Sequence, residues 1–159
     1  MCSSDLSVIP DVAGLLGSPT VSSALQKRVA EAMGATSDTA AGQALVTSLP
    51  RLDAEVRETA FGQIIRRSDW TSALVQALAD RKVETMLVGP ANLHRLRTHS
   101  DKAVATKANE VIDMLKGPEQ KQKDALIAKF KAEVERPGNL ENGRKLYLAN
   151  CAPCHKYKT

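Results

Sequence analysis

The sequence predicts an all-α fold, with packed helices over residues 7–136 and one more helix leading into a cysteine pair. Two observations carry this. Apolar residues recur at spacings of three and four, the period of one helix face, and no segment alternates long enough to make a strand. Aromatics form only 3% of the 159 residues, so the core is aliphatic, which suits packed helices better than a β-sandwich. With 43% hydrophobic and 25% charged residues, the balance is globular rather than disordered.

The elements follow in order. Leu25, Val29 and Met33 recur every four residues, and Gly34 is placed to stop that helix. Asp53 is placed to cap the next, with Val56, Ala60, Phe61, Ile64 and Ile65 on one face. Asp69 is placed to cap another, with Trp70, Leu74, Ala77 and Leu78 inward. Gly89-Pro90 breaks the chain, and a short segment with Leu93 and Leu96 follows. Asp101 caps a helix carrying Val104, Ala108, Val111, Ile112 and Leu115, which Gly117-Pro118 ends. Leu126, Ile127, Phe130 and Val134 line a further helix, closed by Arg136-Pro137-Gly138. Met86 and Met114 read as core residues, and His94 and His99 as surface residues beside Arg95, Arg97 and Ser100.

Two helices echo each other. Asp53-x-x-Val56-x-x-x-Ala60-x-x-x-Ile64 matches Asp101-x-x-Val104-x-x-x-Ala108-x-x-x-Ile112, an offset of 48 residues from position 53 to position 101. Asp38-x-x-Ala41-x-x-x-Leu45 is a weaker copy. HEAT-type repeats have a period of about 40–47 residues, and each helix pair shares its small apolar face with its neighbours. Generic amphipathic helices starting at Asp caps give the same match.

The net charge of +4 is mild. Lys116, Lys121, Lys123, Lys129 and Lys131 interleave with Glu119, Asp124, Glu133 and Glu135, the pattern of a solvated helix face. No basic stripe with stacking aromatics is present, which argues against nucleic acid as a partner. No apolar run approaches the length needed to span a bilayer. A weak docking surface for an acidic redox partner is compatible with this charge.

The chemistry lies in Cys151-Ala152-Pro153-Cys154-His155. The spacing C-x-x-C-H reads as c-type haem attachment. Two residues between the thiols let one turn of chain reach both porphyrin vinyl groups, and the next residue offers an imidazole as proximal iron ligand. Cys151 and Cys154 are thus the expected thioether residues and His155 the iron ligand, with haem c as cofactor and one-electron transfer as function. Asn139 to Ala149 reads as a helix with Gly143, Tyr147 and Cys151 spaced by four on one face. A thioredoxin-like reading needs a βαβ setting, and a zinc reading needs a second ligand pair. The rival function is a helical scaffold or interaction module without a redox role. No residue supplies substrate chemistry, so the sequence does not support an enzymatic role for this piece of chain and leaves that of its parent open.

Both ends prompt expectations. Met1-Cys2-Ser3-Ser4-Asp5-Leu6 resembles the translation of a common sequencing adapter, so residues 1–6 are expected to be read-through rather than fold. An ordinary polar terminus with a Ser/Asp cap is the alternative. The chain runs only from His155 to Thr159 after the motif, so a fragment of a longer protein is expected.

Three passages together resemble one family, the large haem-binding dehydrogenase-type proteins of planctomycetes and verrucomicrobia. They are Leu52 to Val83 with its Ser-Asp-Trp helix, Leu93 to Leu115 with His-Ser-Asp-Lys-Ala-Val, and Gly138 to His155. The last also resembles the opening helix of class I cytochromes c. The resemblance implies a HEAT-like helical region followed by the truncated start of a cytochrome c domain, residues 137–159. It implies a dehydrogenase module of the same polypeptide as electron donor, an oxidoreductase parent, and an extracytoplasmic or periplasmic location.

Overall fold

The structure, a computed structural model, describes residues 8–155, and within the 118–134 segment not the side chains of 118–121 and 132–133. The expected read-through, residues 1–6 with Cys2, lies outside the described residues. The helices are α1 (Ile9–Ala13), α2 (Ser23–Ala35), α3 (Thr39–Ser48), α4 (Ala54–Ile64), α5 (Ser68–Ala79), α6 (Thr85–Arg97), α7 (Lys102–Leu115), α8 (Pro118–Val134) and α9 (Leu140–Asn150), with a 3-10 turn at Leu49–Arg51. The described residues contain no strand, so the fold is all-α.

Side-chain oxygens start several helices by accepting orphan backbone N–H groups. Asp38 accepts from Ala40 N at 2.7 Å, Asp53 from Val56 N at 2.9 Å and Asp101 from Ala103 N at 2.9 Å. Asp69 does not cap. The helix α5 begins earlier, with Arg67 as N-cap, and Asp69 sits in the first turn, where its charge meets the positive helix end. Nor does Gly34 stop α2, which continues to Ala35. Gly34 instead lets α4 come close, because a Cβ there would stand 2.2 Å from Gln63 Oε1. Gly89 breaks α6 as expected, with φ 77° and ψ 159° before Pro90.

Contacts divide the chain into two compact units, residues 1–115 and 116–159, so α8 groups with α9. In the first unit α1, α3, α5 and α7 pack in series. The helix α2 packs on α4, and the pairs α2/α3, α4/α5 and α6/α7 join the rows. Side chains carry the even row on to α6. Asn92 Nδ2 donates to Glu58 Oε2 at 2.7 Å, and the Arg95 guanidinium lies 5.0 Å from the Phe61 ring centroid. The 48-residue offset therefore does not relate equivalent helices, because α4 and α7 stand in different rows. The even-row helices start at Ser23, Ala54 and Thr85, 31 residues apart from 23 to 54 and from 54 to 85. An Asp cap marks where a helix begins, not which layer it joins.

One continuous core runs through this unit, with Trp70 and Phe61 its largest fully buried side chains. Val56, Ala60, Phe61 and Ile64 of α4 and Val104, Ala108, Val111 and Ile112 of α7 are buried, as their spacing predicts. On α2, Val29 and Met33 are buried as their spacing predicts, and the difference lies in the first turn. Leu25 is exposed and Gln26 is buried. Gln26 Oε1 accepts from Gly17 N at 2.8 Å, and its Nε2 donates to Val21 O at 2.9 Å and Ser18 O at 3.1 Å. One amide thus satisfies three backbone groups of the α1–α2 connection.

Met86 and Met114 are not core residues; they are 87% and 63% exposed. Met114 lies across the α7 axis from Ile112, and Met86 precedes the Gly89 kink, where Val88 is the buried residue of its turn. In the second unit no described side chain of α8 or α9 is buried. Leu126, Ile127, Phe130 and Val134 share a face of α8, and all four are exposed.

Candidate functional site

The helix α9 delivers the cysteine pair. Asn139 caps it, accepting from Asn142 N at 2.9 Å, and the chain leaves the helix at Cys151. Cys151 N and Ala152 N both donate to Tyr147 O, at 2.8 and 2.9 Å. Cys154 N and His155 N both donate to Cys151 O, at 3.2 and 2.8 Å. These bonds wind the backbone of the motif into a single turn that carries Cys151, Cys154 and His155. All three are exposed, and both thiols are free rather than joined in a disulfide.

On α9, Leu140, Gly143, Tyr147 and Cys151 share one face. A Cβ at Gly143 would meet nothing within 4 Å, and Leu140 is 90% exposed. The stripe leading to the thiols is therefore open to an approaching apolar surface. Tyr147, half-buried, also donates from its hydroxyl to His155 O at 2.7 Å. Helical spacing alone puts Tyr147 on this face, but the hydroxyl bond is not legible in the sequence, because only the folded turn brings His155 back to it.

The other candidates serve structure. His99 is half-buried rather than on the surface. Its Nδ1 accepts from Asp101 N at 3.1 Å, so its proton sits on Nε2, which faces Ile65 O at 3.1 Å. Both ring nitrogens are engaged, and His99 joins the end of α4 to the start of α7. His94 is exposed, as expected. Asp53 and Asp101 have carboxyls held below the usual carboxylate range. The leading cause is a side-chain hydrogen bond from Ser23 to Asp53 and from Ser68 to Asp101, followed by their helix-start amides.

A small cleft between α4 and α6 is lined by Arg57, Glu58, Phe61, Val88 and Asn92. Arg57 is committed to the backbone there, donating to Leu49 O at 3.2 Å and Leu52 O at 2.5 Å. Among the described residues no three His, Cys, Asp or Glu side chains converge on a common point. Among the described residues, too, no helix is long and apolar enough to cross a membrane. Comparison with protein-family models, with curated proteins and with solved structures found no significant match to this chain.

Proposed function

We propose that the Cys151–His155 turn covalently attaches a c-type haem and that the chain serves one-electron transfer through it. The observation that carries this is the turn itself: two free, exposed thiols and an adjacent imidazole held within one hydrogen-bonded turn at the end of an amphipathic helix. Each thiol adds across one vinyl C=C, its sulfur bonding one carbon and its hydrogen passing to the other, so no oxidant is consumed. His155 would offer its imidazole to the iron, Cys151 and Cys154 would hold the group through thioethers, and the bound group would supply the Fe(III)/Fe(II) couple.

The reading extends to the architecture. Serially packed helix pairs followed by a helix ending in C-x-x-C-H support a HEAT-like region joined to the start of a class I cytochrome c domain. On this reading the chain belongs with the haem-binding dehydrogenase-type proteins its sequence resembles. A dehydrogenase module of the same polypeptide is the donor, or a redox partner protein takes that place, and attachment occurs outside the cytoplasm. Production with a cytochrome c maturation system, followed by intact-mass measurement, tests it. A mass gain of one haem, lost in Cys151→Ser/Cys154→Ser, is the expected result; a chain of unmodified mass overturns it.

The continuous core of the first unit favours a second reading for that unit alone, as a scaffold that spaces or docks other domains. Binding of a partner by a Cys151→Ser/Cys154→Ser chain would assign that role independently of haem.

A further inference from the structure

We infer that Tyr147 is the positioning residue of the Cys151–His155 turn, holding both of its ends so that two thiols and the imidazole are presented together; this rests on the haem-attachment reading. One residue makes the three bonds that frame the turn. Its carbonyl accepts from Cys151 N at 2.8 Å and Ala152 N at 2.9 Å, where the turn begins. Its hydroxyl donates to His155 O at 2.7 Å, where the turn ends. Between them Cys151 O accepts from Cys154 N and His155 N, so the loop closes on itself in a ring of hydrogen bonds.

The first pair of bonds continues the helical pattern, and any residue at 147 makes it. The hydroxyl bond spans from position 147 to position 155 and needs tyrosine. Without it, the backbone at His155 is held only by its own N–H. The imidazole then searches more orientations before meeting iron, and ligation weakens by the ordering the clasp had already supplied. An exposed hydrogen bond competes with water, so the effect is modest: about two- to tenfold, the span of one net hydrogen bond.

Tyr147→Phe keeps the ring and the carbonyl and removes only the hydroxyl, and Tyr147→Leu removes the ring too. In the haem-free full chain, amide hydrogen exchange read by NMR should quicken at His155 by about two- to tenfold in Tyr147→Phe, while α9 amides before Tyr147 keep their rates. In haem-loaded protein, the reduced carbon monoxide complex distinguishes iron that carries a proximal imidazole from iron that does not. The ratio of the two should fall by a similar factor in Tyr147→Phe and no further in Tyr147→Leu. Unchanged exchange at His155, an unchanged imidazole ratio, or a loss seen only with Tyr147→Leu each overturns the inference, the last because ring packing would then be the cause. A wild-type chain that takes up no haem defeats the attachment reading instead, and the exchange measurement still decides whether the clasp exists.

Discussion

Alanine at two helical glycines should change stability in opposite directions. A Cβ on Gly42, inside α3, would lie 2.4 Å from Trp70 Cγ and 2.5 Å from Cδ1 and Cδ2. Carbon atoms rest at about 3.5–4.0 Å, so the indole must retreat by about 1 Å. It has little room, being 1% exposed, with the Arg67 guanidinium 5.0 Å from its ring centroid. Overpacking of this kind costs about 1–3 kcal/mol, and alanine recovers about 1 kcal/mol of helix propensity. Three ring atoms are hit near the rigid base of the side chain, so Gly42→Ala should be destabilised by about 1–2 kcal/mol. The melting temperature of this unit should fall by about 4–8 °C for each kcal/mol lost. At Gly62, inside α4, a Cβ meets nothing within 4 Å. Gly62→Ala should therefore gain about 0.5–1 kcal/mol from propensity alone. The chain has a single tryptophan, so fluorescence-detected unfolding reports this unit. A Gly42→Ala protein as stable as wild type would refute the close α3–α5 packing.

Three further outcomes are expected. Gln26→Leu strands the N–H of Gly17 and the carbonyl of Val21 and leaves the Ser18 carbonyl only its bond from Val21 N, and should lower stability by about 1–3 kcal/mol, seen as a lower urea midpoint with an unchanged slope. The Asp53 and Asp101 carboxyls lie below their ordinary value of 3.8 in the folded chain. Their contribution to stability is therefore present above that value and is lost as pH falls through the lower folded values, so urea midpoints should decline on acidification and decline less in Asp53→Asn/Asp101→Asn. Residues 116–159 contain one histidine, His155, and no methionine, so in His155→Ala haem attached at this turn should lose its imidazole ligand and change its absorption spectrum, and an unchanged spectrum would refute that assignment.

The helices were legible because their signals are local. Asp38, Asp53 and Asp101 cap where their side chains suggest, and the apolar spacing of α4, α5 and α7 matches the buried faces. What escaped depends on distant partners. Gln26 replaces Leu25 in the interior because three backbone groups nine or fewer residues upstream need an amide. Met114 looked apolar enough for the core but falls on the wrong side of α7. The 48-residue echo matched caps and spacing, which every amphipathic helix shares, while the rows are set by which helices touch. At the motif, the three haem-directed residues were legible from spacing alone. The bond from Tyr147 to His155 was not, since it exists only once the turn has wound.

The central claim is that the thiols of Cys151 and Cys154 grip a porphyrin. The most direct measurement is a pyridine haemochrome spectrum of the full chain made alongside a cytochrome c maturation system, taken after denaturation and acid-acetone extraction. The account predicts a spectrum of haem with both vinyl groups saturated, retained by the wild type and absent from the double serine variant. Haem that extracts completely from the wild type, or that is retained equally by the variant, would contradict it.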